Sequence, residues 1–120
     1  MSIIKVLSIE DDGVAALACE GEINGLLMES GEPDRFEELL GEDWSGRQVV
    51  LDMSQASYLD SAAVGWLLSL HRSFTTGGGK LVLCCIQPTV RRVIDLMRIG
   101  EVVPILDDQQ QAFAKIREAN

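Results

Sequence analysis

The chain has a single histidine, three cysteines, ten basic side chains against nineteen acidic ones, and no long apolar run. Each shortage removes a class of function. The one histidine, His71, falls in a helical pattern ten residues after Ser61. That is about 15 Å at 1.5 Å rise per residue, too far for a nucleophile–base pair on one helix. No GxSxG elbow is present. Asp52 and Asp60 could be imagined as paired carboxylates, but no second feature supports an active site. The expectation is therefore a protein without catalysis.

Cys19, Cys84 and Cys85 are odd in number and show no CxxC spacing, so neither a zinc site nor a disulfide framework follows. They lie in strand-like apolar runs, where free cysteine behaves as a small hydrophobe. No metal and no other cofactor is expected. The glycine run Gly77–Gly79 lacks the GxxxxGK[ST] and GxGxxG patterns of phosphate loops. It also follows a helix and precedes a strand, so it reads as a helix stop. No run approaches the roughly 18–20 apolar residues that cross a bilayer, and Met1-Ser2-Ile3-Ile4-Lys5 lacks the layout of a secretory signal. A cytoplasmic protein without membrane insertion is expected. The net charge of −9 repels phosphate backbones and anionic lipid. It favours solubility and steers in a basic protein partner.

What is present is a core-building sequence. At 120 residues the chain fits one domain, residues 1–120, and 47% hydrophobic residues suffice for an ordered core. Ile3 to Ile9 and Val14 to Cys19 read as strands joined at Asp12-Gly13 as a hairpin. Glu20-Gly21-Glu22-Ile23-Asn24-Gly25 closes the second strand as a turn. A short helix is expected from Pro33 to Leu40, ended by Gly41, with Trp44 in the next loop either as a lid on the core, the favoured reading, or as part of a contact surface. Gln48 to Met53 and the nearly all-apolar Lys80 to Ile86 are the next strands, the latter central. Between them lie a polar connector and a helix running to about Thr75. Gln87-Pro88-Thr89 opens a helix with the stripe Val90, Val93, Ile94 and Met97, ended by Gly100. Val102 to Leu106 is an edge strand because of Pro104. Asp107-Asp108 cap a last helix using Ala112, Phe113 and Ile116. The order is a hairpin followed by alternating helices and strands. It predicts an α/β domain with a mixed, mostly parallel sheet of about five strands and about four packed helices.

The stretch Val49 to Leu68 organises the rest. Val49 to Leu51 suits a strand covered on both faces. After Ser61, the residues Ala63, Leu67, Leu70 and Phe74 recur at helical steps. Ser61 stands where an N-cap belongs, with Asp60 just before it. A helix N-terminus presents unpaired N–H groups and favours anions. The Ser61 hydroxyl therefore reads either as a plain cap or as a phosphate acceptor. The small residues Ala62, Ala63 and Gly65 would let a partner's backbone come close.

Val49-Val50-Leu51-Asp52-Met53 followed by Tyr58-Leu59-Asp60-Ser61-Ala62-Ala63-Val64-Gly65 resembles the strand and D-S-[SA]-G-[LI]-G signature of STAS domains of the bacterial anti-sigma factor antagonist type. Gly78-Gly79-Lys80 to Cys84, Pro88-Thr89-Val90-Arg91-Arg92-Val93, Ile99-Gly100 and Gly21-Glu22-Ile23 resemble further family features in the same order. The resemblance implies a STAS fold and a regulatory protein. It implies phosphorylation at Ser61 by a serine/threonine kinase that is also the anti-sigma factor. The unphosphorylated form would bind that kinase and free the sigma factor, and a serine phosphatase would reset the system. The implied contact surface is Ser57, Tyr58, Leu59, Asp60, Ala62 and Val64, with Gly21, Glu22, Ile23 and Asn24; the alternative is that Tyr58 and Leu59 are buried under the helix, a reading that fits Leu59 equally well. Ala63 stands where the family usually has glycine, which implies a stiffer loop. Asn24 stands where aspartate is usual. The competing expectation is a STAS subunit that does not switch, serving as a scaffold in a stress-sensing complex or as a transporter accessory.

Overall fold

The computed structural model describes residues 3–24 and 35–118. Among these, six strands occur: β1 (Ile3–Ile9), β2 (Ala15–Ile23), β3 (Gln48–Asp52), β4 (Ala56–Leu59), β5 (Lys80–Cys84) and β6 (Ile105–Leu106). Residues 35–40 are helical (α1); α2 is Ser61–Gly77, α3 Pro88–Leu96 and α4 Gln109–Arg117. The expected helix start at Pro33 lies outside the described residues.

The main sheet has the order β1-β2-β3-β5-β6, with β1 antiparallel to β2 and the other pairs parallel. The hairpin between β1 and β2 turns at Gly13, which has φ +89°, a conformation glycine adopts without strain. β5 is central, as its apolar run requires.

Alternation along the strands divides the core. Leu17, Leu51 and Leu83 face Phe36 and Leu40 of α1, Leu67 and Phe74 of α2, and Val90 and Ile94 of α3. Val50, Val82 and Cys84 face α4, which contributes Ala112 and Ile116 with Phe113 at the margin. Each fully buried side chain of this size contributes about 1.5–3 kcal/mol relative to exposure. Trp44 is the lid expected from the sequence. Its ring lies 5.4 Å from Phe36 and 5.4 Å from Phe74.

The glycine run ends α2 by two different means. Gly78 is its left-handed C-cap at φ +87°, donating its N–H to Phe74 and Thr75 carbonyls. Gly79 permits close approach, because a Cβ there would stand 2.6 Å from the Ser45 carbonyl oxygen.

Several boundaries differ from the sequence reading. The polar connector contains β4. Glu20 to Ile23 are strand, not turn. Strand β5 stops at Cys84 because Cys85 adopts φ +62°. Helix α3 gives way to a left-handed residue at Arg98 (φ +57°), while Gly100 lies inside the following 3-10 turn, Ile99–Glu101. Only Ile105–Leu106 of the expected last strand is paired, at the sheet edge just after Pro104.

Candidate functional site

The site is built where β2 changes partner. Ala15 to Ala18 pair with β3, but further on Gly21 is opposite Ala56, Glu22 opposite Tyr58 and Ile23 opposite Leu59. Gly21 sits at the register irregularity with φ +87°, and its N–H donates to the Gln55 carbonyl at 2.9 Å. A side chain there would strain the backbone. The Asp60 N–H then donates to the Ile23 carbonyl at 3.4 Å. Two segments far apart in sequence, 21–24 and 57–62, thereby form one continuous edge at the start of α2.

Exposure sorts the residues of this edge. Glu22, Asn24, Ser57, Tyr58, Ser61 and Ala62 are exposed, and Gly21 and Asp60 are half-buried. Tyr58, 54% exposed, is the one large apolar surface at the tip. Ile23, Leu59 and Val64, expected from the resemblance as contact residues, have side chains no more than 2% exposed. They belong to the core between β4, β2 and α2. A partner can reach them only through their backbone.

The helix start also differs from the sequence reading. Asp60, not Ser61, is the N-cap, with an extended backbone and a side chain that accepts from Ala63 N–H at 2.7 Å. Ser61 is the first helical residue and is exposed. Its hydroxyl is not needed for the cap. Ala63 is a buried helix residue, so its methyl stiffens no loop. Gly65 and Ser69 follow Ser61 at steps of four and are exposed. They extend the small-residue face along α2. No Cβ at Gly65 would meet another atom within 4 Å.

Beneath the connector lies a polar cluster. Asp52, buried, accepts from Ser54 N–H at 2.8 Å and from Gln109 Nε2 at 2.7 Å. It therefore holds the connector and α4, and is not paired with the capping Asp60. Gln87 Nε2 donates to the Ser54 carbonyl at 2.6 Å. Cys84 and Cys85 stand beside this cluster. Burial, then the neighbouring thiol and the Asp52 and Asp108 carboxylates, push the Cys84 thiol far up; burial is also the main cause raising Cys85. His71 sits half-buried mid-helix at the core margin, about 15 Å from Ser61 by helical rise. Trp44 packs near Phe74, about 20 Å down α2 from Ser61, so it is no part of this edge.

The family model of the STAS domain matches residues 9–112. The chain belongs to the STAS domain family. Curated proteins similar to it are described as anti-sigma factor antagonists. It is 27% identical over 116 residues to BtrV of Bordetella bronchiseptica, described as an anti-sigma factor antagonist, covering 97% of each chain. The crystal structure of a Thermotoga maritima protein described in the same terms covers 92% of this chain and 92% of its own, at 24% identity and TM-score 0.75. SpoIIAA of Bacillus, solved in a phosphorylated form, covers 98% of this chain and 100% of its own, at 18% identity and TM-score 0.61. The STAS fold thus accounts for the sheet order and for the placement of α2. Among the described residues, no helix of this STAS protein is long and apolar enough to cross a membrane.

Proposed function

We propose that this protein is a phosphorylation-gated binding module. In its unphosphorylated state it binds an anti-sigma factor serine/threonine kinase and frees the sigma factor. Ser61 is the phosphate acceptor, and a serine phosphatase restores the binding form. The exposed members of the edge, Glu22, Asn24, Ser57, Tyr58, Ser61 and Ala62, with the half-buried Gly21 and Asp60, make the contact.

One observation carries the reading. The Ser61 hydroxyl lies exposed at the first position of α2 while Asp60 does the capping. A side chain with no structural task is free for modification. Phosphorylation places nearly two negative charges beside Asp60 and close to the exposed Glu22. The tip then changes from neutral hydroxyl to strong anion, and an acidic or nucleotide-bearing partner surface is repelled. The helix N-terminus itself tolerates the phosphate, since anions there gain about 0.3–1 kcal/mol. SpoIIAA supports the reading as a protein of this fold that exists phosphorylated.

The test is capture of the host kinase by immobilised Ser61→Ala and Ser61→Asp proteins, with peptide mapping of the native protein by mass spectrometry. Ser61→Ala retains the kinase, Ser61→Asp releases it, and a phosphate maps to Ser61. Equal capture by both variants refutes the switch.

A further inference from the structure

Neighbouring residues on a strand point to opposite faces of the sheet. Adjacent cysteines therefore normally hold their sulfurs apart. Cys84 and Cys85 do not. Strand β5 ends at Cys84, and Cys85 takes φ +62°, a region that side-chain-bearing residues rarely occupy. The turn brings the Cys85 Sγ back to 3.5 Å from the Cys84 Sγ. A carboxylate oxygen of Asp52, the residue opposite Cys84 on β3, lies within 4.8 Å of both sulfurs. Each Asp52 oxygen already accepts one N–H, from Ser54 and from Gln109. Those bonds fix the carboxylate and leave a second lone pair on each oxygen. Cys84 is buried and Cys85 half-buried, so the cluster is approached from the Cys85 side.

We propose that Cys84, Cys85 and Asp52 form a site for one thiophilic divalent metal ion of the zinc and cadmium class. Two thiolates and one carboxylate suit a tetrahedral d10 ion, with solvent in the fourth position. On binding, two S–H bonds break and both protons go to solvent. Two metal–sulfur bonds and one metal–oxygen bond form, and no electron is transferred. The bound site carries the same net charge as the free one, because two protons are exchanged for two positive charges. Cysteine spacing gives no sign of this site, since metal motifs separate their cysteines by at least two residues. The left-handed backbone at Cys85 takes the place of that spacer.

A bound ion would tie the end of β3 to the turn after β5. Gln87 in that turn already holds the Ser54 carbonyl, where the connector to β4 and Ser61 begins. Loading would thus brace the floor of the binding edge without touching Ser61.

The test is titration of the whole chain with Cd²⁺, after reduction with a non-thiol reductant, following sulfur-to-metal charge-transfer absorption. The band saturates at one ion per chain. Cys85→Ser, the half-buried cysteine, abolishes it, and Cys19→Ser leaves it unchanged. Asp52→Asn weakens binding by at least the roughly 10–100-fold that outer-shell changes cost. In the wild-type protein, Cd²⁺ raises the melting temperature and a chelator reverses the rise, because an ion that binds only the folded chain stabilises it. No band at excess Cd²⁺, a band that survives Cys85→Ser, or an unchanged wild-type melting temperature overturns the proposal.

Discussion

Exchanging Asp60 and Ser61 separately for alanine distinguishes a structural serine from a free one. The Asp60 carboxylate accepts the Ala63 N–H at 2.7 Å, the one side-chain cap of α2. Asp60→Ala leaves that N–H without its partner at the head of a helix that carries six buried side chains. The expected cost is about 1 kcal/mol, within a range of roughly 0.5–2. Unfolding entropy is about 2.1 cal/mol/K per residue, so for 120 residues 1 kcal/mol lowers the melting temperature by about 4 °C. Asp60→Asn keeps an acceptor and recovers most of the loss. Ser61→Ala removes a hydroxyl that is not part of the cap, so its effect stays within about 0.5 kcal/mol. Equilibrium urea unfolding reads these differences as shifts in midpoint at constant slope. If Ser61→Ala loses as much stability as Asp60→Ala, Ser61 is the cap. Its hydroxyl is then committed to the helix start and not free for modification.

Two further perturbations test the frame that holds this edge. Gly78→Ala meets open space but must keep φ +87°, at a cost of about 1–2 kcal/mol, whereas Gly79→Ala drives a Cβ into the Ser45 and Arg47 backbone. Gly79→Ala should therefore be the more destabilising in urea unfolding, and the reverse order would refute the close approach. Arg117 binds Asp12 at 2.7 Å and holds its carboxyl below the ordinary value. A lowered folded value means a contribution that is full above the unfolded pKa and lost as pH falls through the folded one. By NMR, the Asp12 carboxyl should titrate below the ordinary value of 3.8 and shift upward in Arg117→Ala; identical titration in both proteins would refute the pairing.

The long elements could be read from the sequence because each carries its own periodicity. The buried stripe of α2, the Pro88 start of α3 and the Asp-Gly hairpin needed no tertiary information. β4 was hidden. Ala56-Ser57-Tyr58-Leu59 shows no period of two, since Ala56 and Leu59 face inward with two exposed residues between them. It is a strand only because β2 runs past β3 and offers it a partner. The same long-range pairing buries Ile23 and Leu59, which local sequence could not distinguish from surface residues. The cap was misplaced by one position because aspartate and serine both favour that role and stand side by side. The left-handed turn at Cys85 has no glycine to announce it.

The divided pairing of β2 also has a meaning for divergence and design. One edge of this strand serves two ladders, with Gly21 as the joint between them, while its other edge pairs with β1. Residues before the joint answer to the core, and the exposed residues after it answer to the partner that the proposed function assigns to this edge. If that edge binds a partner, related chains could vary its exposed residues and keep Ile23, Ala56 and Leu59 in the core. They would acquire new recognition on an unchanged chassis, which is a short route to parallel pathways that do not cross-talk.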